Sequence, residues 1–183
     1  MEQRGYTAVG VAELCDGAGV NKGSFYHLFP SKRELALEVI DSFWGESSTL
    51  LDQVATGDGP PRDRIRRFFE SVYAHHQERS GQCGRVLGCP LGNLAQEMST
   101  QDPVLRERLG EIFDLYVDRL ERVIAEAVGR GDLPAQDTRR SAHTVIALLE
   151  GAILLAKTRD DPETLADLGD DALRMLGAQA SAS

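Results

Sequence analysis

Apolar residues in this chain recur at steps of three and four, and no stretch alternates convincingly in the two-residue period of a strand. "GVAELCD" (10–16) sets Val11, Leu14 and Cys15 on one side and predicts a short helix, with "GAGV" as the turn after it. Asn21 suits the cap of a second short helix, because its side-chain oxygen can take a free amide of the first turn. That helix runs to about Phe29 and ends before Pro30, which pushes the preceding residue out of the helical region. Ser31, with Glu34 three residues on, reads as a capping box. It opens a long helix with apolar residues at 35, 36, 39, 40, 43 and 44. "ATGDGPP" (55–61) is a loop by its Gly and Pro content.

A second block starts at Pro61, with Ile65, Phe68, Phe69, Val72 and Tyr73 at helical spacing. The Gly-rich "SGQCGRVLGCPLG" is expected to break it, and "LGNLAQEMS" to form a short helix. Asp102 and Pro103 fit the cap and first position of a longer helix. Its stripe is Leu105, Leu109, Ile112, Tyr116, Leu120, Val123 and Ala127, and "GRGDLP" (129–134) stops it. Residues 141–159 are apolar nearly all round and so should be buried on more than one side. Pro162 opens a last helix carrying Leu165, Leu168, Ala172 and Leu176, and "GAQASAS" predicts a frayed end. The pattern is all-α, without an internal repeat.

Composition narrows this picture. An apolar fraction of 42% is enough for a real core. "MEQRGYTAVG" has no basic stretch followed by an apolar one, so no secretory leader is expected. No segment is read as an apolar run long enough to span a bilayer. Three cysteines do not suggest a disulfide framework, so a cytoplasmic protein with reduced thiols is the simplest reading. No nucleophile triad, phosphate loop or metal-ligand spacing is present, so neither an enzyme nor a cofactor is expected. A formal charge of −9 argues against nonspecific coating of nucleic acid, but not against a small local contact patch.

Such a patch is suggested by the run Gly17–Arg33, which contains no acid but holds Lys22, Lys32 and Arg33. Two short helices joined by a Gly-containing turn, the second of them polar, describe a helix-turn-helix. Gly19 permits the turn. Val20, Phe25 and Phe29 are expected to hold the second helix, leaving Lys22, Gly23, Ser24, Tyr26 and His27 outward. Gly23 would let the backbone approach DNA. Tyr26 and the lysines would serve phosphates, including Lys32 at the start of the next helix, while side chains near 22–27 reach base edges.

The segment "GYTAVGVAELCDGAGVNKGSFYHLFPSKRELALEVI" (5–40) resembles the TetR family of one-component transcriptional repressors. Ala18–Val20, Lys22–Tyr26, Phe29, Ser31, Lys32 and Leu35 match that family's recognition-helix pattern, a specific signal over about a fifth of the chain. "GCPLGNLAQEMS" (88–99) is similar to a segment recurring in one branch of the family. Val9 and Gly10 stand where family members usually have Thr or Ser, so the cap of the first short helix is expected to be poorer. The family's own first helix would precede "RGY" by a dozen or more residues, where only "MEQ" stands. Residues 1–53 carry four Lys and Arg against eight acids, a net of −4. A mis-set or truncated start is therefore expected.

The resemblance implies a DNA-binding head (1–45) and a ligand-binding and dimerisation part (46–183). It also implies a homodimer through residues about 136–158 and 162–176, double-stranded operator DNA as partner, and no membrane. Charges at Ala152 or Leu168 would test that interface. A small-molecule inducer would lie among Phe68, Val72, Cys89, Leu94, Phe113, Tyr116, Leu120, Ile146, Leu149 and Glu150, mostly apolar with one polar group. The alternative is a degenerate or truncated relative that binds small molecules without binding DNA. Cys89 reads either as a buried filler or as a sensing thiol with Cys83 as resolving partner; Arg85 is the one nearby cation. Cys15 reads as core. Adjacent His75 and His76 point about 100° apart on a helix, which disfavours a metal pair. Glu150, inside an apolar run, needs a partner: Arg119 or Arg122, a ligand group, or solvent.

Overall fold

The structure is a computed structural model that describes residues 4–177. The expected frayed end falls at 177–183, and residues 178–183 lie outside that range. The described residues form eight α-helices and one 3₁₀ turn, with no strand. The helices are α1 (Val11–Ala18), α2 (Lys22–Leu28), α3 (Lys32–Thr56), α4 (Pro61–Cys83), α5 (Pro90–Met98), α6 (Pro103–Gly129), α7 (Thr138–Arg159) and α8 (Leu168–Met175).

Local chemistry accounts for most boundaries. Gly19 closes α1 in the left-handed region at φ 66°, where a side chain would be strained. Gly10 starts α1 without a side-chain cap bond, the poorer cap expected. The Asn21 side chain accepts the Ser24 amide at 2.8 Å, and Ser31 Oγ accepts that of Glu34 at 3.2 Å. Asp102 accepts the Val104 and Leu105 amides at 3.0 and 3.2 Å, and Pro103 takes the first position of α6.

Three boundaries differ from expectation. α4 continues through "SGQC" to Cys83, because its tertiary packing outweighs one glycine, and Gly84 ends it. The helix predicted from 141 begins at Thr138, capped by Asp137. The segment after Pro162 is a 3₁₀ turn (Pro162–Leu165) followed by the separate α8, not one helix.

The chain forms two compact units. The first comprises residues up to Glu46 together with Pro90–Ile112; the second comprises Ser47–Cys89 together with residues from Phe113 onward. In this division α5 and the start of α6 group with the head. Within the first unit, Val9, Cys15, Phe25, Ala36 and Ile40 are buried, Cys15 in the core as expected, and so are Leu91, Met98, Leu105 and Leu109. In the second unit α8 and the 3₁₀ turn pack on α4 and α7. Gly169 makes the close crossing: a Cβ there would sit 3.2 Å from Phe69 Cβ. Arg64, only 2% exposed, pairs with Glu126 across this core.

By length and composition alone, α7 does qualify as a bilayer-crossing helix, contrary to expectation, because Glu150 is the sole charge in its central stretch. Its face Val145, Leu149, Ile153 and Ala156 is buried in the second unit. The other face exposes Leu154 (45%) and Leu155 (49%), so burial is one-sided within the chain.

Candidate functional site

The head presents α2. Lys22, Gly23, Ser24, Tyr26 and His27 are all exposed, with Tyr26 at 52%. Phe25 anchors the helix: it is buried, and its ring meets Tyr26 edge-on at 5.3 Å and Phe29 at 5.7 Å. Gly23 has an internal reason besides any approach to DNA. A Cβ there would lie 3.1 Å from Asn21 Oδ1, the atom that caps the helix. Val20 departs from expectation. It is 44% exposed, because the turn after Gly19 directs it away from the core that Phe25 fills.

Lys32 is engaged inside the head: its ammonium donates to the Tyr6 carbonyl, which uses one of its three donors, and lies 4.1 Å from the centre of the Tyr6 ring. Burial pushes its pKa down, against the opposing pull of Glu97. Arg33 donates to Asp102 at 2.6 Å. Of the three cations in the acid-free run, Lys22 alone is exposed without an ion pair among the described residues. The residues that match Lys32 and Arg33 were not apparent in the sequence: Tyr6, Glu97 and Asp102 lie far from them along the chain.

The second unit gathers a half-buried polar group from distant parts of the chain: Ser47 on α3, Cys89 just before α5, Tyr116 on α6 and Glu150 on α7. The Cys89 thiol hydrogen-bonds the Glu150 carboxyl. Burial raises the Glu150 pKa, and the thiol partly opposes this. Tyr116 stands close enough to feel the charge of both Cys89 and Glu150. Its hydroxyl hydrogen-bonds Ser47 Oγ at 2.9 Å, and burial pushes its pKa up to about 12. Ser47 had no sequence signal. Arg119, one of the two arginines considered for Glu150, is engaged elsewhere. Arg119 pairs with Asp52 at 3.1 Å, and Arg122 is exposed. Arg85 is exposed too.

Of the other expected pocket residues, Phe68, Leu120, Ile146 and Leu149 are buried, while Val72 and Phe113 are half-buried. Leu94 is half-buried on α5 and groups with the first unit. His76 is buried and held neutral, its pKa pushed down to about 4 by burial and by the charges of His75 and Arg79. Among the described residues no three His, Cys, Asp or Glu side chains cluster as a metal site.

An exposed, capped, polar helix set on a short partner helix across a left-handed glycine turn defines a helix-turn-helix DNA-binding protein. Comparison with known proteins makes the family explicit. Residues 1–39 match the profile of bacterial regulatory proteins of the tetR family, and residues 61–170 match the tetracyclin repressor-like C-terminal domain. The chain belongs to the tetR family.

It is 34% identical over 167 residues to the transcriptional regulator AcuR of Cereibacter sphaeroides, covering 90% of this chain and 74% of that one. It is 30% identical to the transcriptional repressor DhaR of a Mycobacterium species, over 89% of this chain and 79% of that one. A crystal structure of a TetR regulatory protein from Rhodobacter sphaeroides superposes with a TM-score of 0.83 at 32% identity, covering 94% of this chain and 90% of that one.

Proposed function

We propose that this protein is a ligand-responsive transcriptional repressor that binds a duplex operator through α2 and acts by binding, not catalysis. The observation that carries this is the exposed face Lys22, Gly23, Ser24, Tyr26 and His27 on a capped helix within the tetR-type segment. Tyr26 and Lys22 suit phosphate oxygens, and Ser24 and His27 suit base edges. The DNA-binding role belongs to residues 1–45. Ligand binding and dimerisation belong to 46–183, and the protein works in the cytoplasm.

The inducer site is centred on Cys89, Tyr116 and Glu150, a short polar lining in an otherwise apolar body. It suits a mostly apolar small molecule with one polar group. The ligand would shift the balance between head arrangements that fit the operator and those that do not.

The protein acts as a homodimer through α7 and α8. Exposed Leu154, Leu155 and Met175 give these helices an apolar outer face that a second copy would cover. Leu168 is buried within its own chain and does not belong to that face. Leu155→Glu is the sharper test, because it places an unpaired charge in the interface without touching the chain's own core. Sedimentation of the unmodified chain should show a dimer, and Leu155→Glu a folded monomer. A folded monomer from the unmodified chain would overturn the dimer. Selection of duplexes from a randomised DNA pool tests the central reading, which fails if no sequence is enriched.

A further inference from the structure

From the contacts inside the first unit we infer that Glu97 and Lys32 are positioning residues for DNA binding, jointly clasping the segment Gly5–Thr7 at the entrance to α1. This rests on the reading that the head binds DNA. Glu97 Oε2 accepts the Tyr6 amide at 2.6 Å, and Oε1 accepts the Thr7 amide at 2.6 Å. The Thr7 hydroxyl donates to the same Oε1. On the other side of that peptide the Lys32 ammonium takes the Tyr6 carbonyl and stacks on the Tyr6 ring. The Tyr6 residue is thereby held at its N–H, its C=O and its side chain by two charged groups from different helices.

The site is shaped for this. Gly5 adopts φ +86°, and a Cβ there would come within 3.1 Å of Glu97 Oε2. Only a residue without a side chain lets the carboxylate approach this closely without strain or crowding. A carboxylate offers two oxygens and four acceptor positions, whereas an amide offers one oxygen and turns an NH₂ toward a donor. Glu97 is held in the charged form: burial favours the neutral acid, but the bonds from Thr7 and Tyr6 and the nearby Lys32 charge outweigh it.

The clasp sits where it can steer the recognition helix. Two residues after Thr7 comes Val9, buried in the core of the head, and then Gly10, which begins α1 with no cap of its own. α2 follows α1 across the Gly19 turn, and Lys32 opens α3 directly after α2. The entry of α1 and the start of α3 therefore share one anchor, Tyr6, and that anchor is fixed by α5. Arg33 and Asp102 add a parallel tie, at 2.6 Å, to the start of α6. Lys32, which the sequence pattern assigns to phosphate, has its charge committed to this internal tie.

The test uses the full chain and a fluorescent duplex selected from a randomised pool by the unmodified protein. A random-sequence duplex of the same length serves as control. Glu97→Gln and Lys32→Met should each weaken binding to the selected duplex by about tenfold. Binding to the random duplex should not change. The slope of log affinity against log salt should stay at the unmodified value, whereas Lys22→Met should lower it by about 0.9. The double variant should lose little more than the worse single one, because both act on one peptide unit.

Thermal melts establish that each variant is folded at the assay temperature. If Glu97→Gln does not fold, Thr7→Val removes one donor only and should show the same pattern at about threefold. A slope lowered by about 0.9 in Lys32→Met returns Lys32 to the phosphate contacts and overturns the clasp. Unchanged affinity in Glu97→Gln also overturns it. A chain that selects no duplex at all instead removes the DNA-binding reading itself.

Discussion

The outward face of α2 and the Cys89–Tyr116–Glu150 group are both small sets of polar side chains, yet they are built in opposite ways. On α2 the polar residues lie close together in sequence, exposed and supported from behind by a single buried aromatic, Phe25. In the second unit the polar residues come from positions 47, 89, 116 and 150, are half-buried, and interact with one another. The first arrangement costs little to fold and leaves its hydrogen-bonding capacity free for a partner. The second is held by contacts between distant parts of the chain, so each group there is sensitive to loss of its neighbour. A surface that must recognise a large polyanion suits the first design, and a site that must respond to a small molecule suits the second.

The largest expected effect separates the two regions at their supports. Phe25→Ala removes the aromatic on which α2 rests, and truncation of a buried Phe costs about 3–5 kcal/mol. The head should lose DNA binding while helix content attributable to the second unit persists, as followed by circular dichroism and hydrogen exchange. Uniform loss of protection in both units would show that they do not respond separately.

A smaller change sharpens the same contrast at the surface. Lys22→Ala should lower the salt slope by about 0.9, because one exposed cation that faces phosphate is removed without disturbing the Asn21 cap. Glu150→Gln should leave that slope unchanged. A slope unaffected by Lys22→Ala would detach the α2 face from the DNA backbone.

The difference between the two regions also explains what could be read from sequence. Helix order, the Asn21, Ser31 and Asp102 caps, and the outward set on α2 all depend on spacings of one to four residues, which a sequence displays directly. The grouping of Ser47 with Tyr116, and of Cys89 with Glu150, depends on which helix faces which, and periodicity does not encode that. Lys32 shows the limit most sharply. Its place in a recognisable motif suggests phosphate, and its contact with Tyr6, 26 residues upstream, has no local signal. Glu150 is unusual in its apolar run, and the neighbour that lowers its pKa, the Cys89 thiol, is one that no local spacing suggests.

Glu150→Gln probes the half-buried group through pH. The native pKa of Glu150 is raised by burial above the ordinary value of 4.5. A raised acid binds more protons in the native state. Its contribution to stability is complete below the unfolded pKa and is lost as pH rises through the native one. Gln carries no such penalty. The variant should therefore be more stable than the parent at neutral pH, by about 2–4 °C in melting temperature, with the gap closing in acid. A gap independent of pH would place the Glu150 carboxylate in contact with solvent.

The smallest effect belongs to Cys89→Ser, and it is informative because two opposite outcomes are conceivable. A thiol is a weak donor and a hydroxyl a better one. If Cys89 were only a packed hydrophobe, the new hydroxyl would be buried without a partner, at a cost of about 1–3 kcal/mol. The structure supplies a partner, since the Cys89 side chain already donates to Glu150. The hydroxyl inherits that acceptor, so the change in stability at neutral pH should stay within about 1 kcal/mol. A stronger donor also favours the charged carboxylate. The pH range over which the parent loses stability as Glu150 ionises should therefore move lower in Cys89→Ser. Urea denaturation repeated across that range, with Glu150→Gln as the pH-insensitive reference, reads both quantities at once. A loss above about 2 kcal/mol with no movement along the pH axis would mean that residue 89 fills space and does not bond to Glu150.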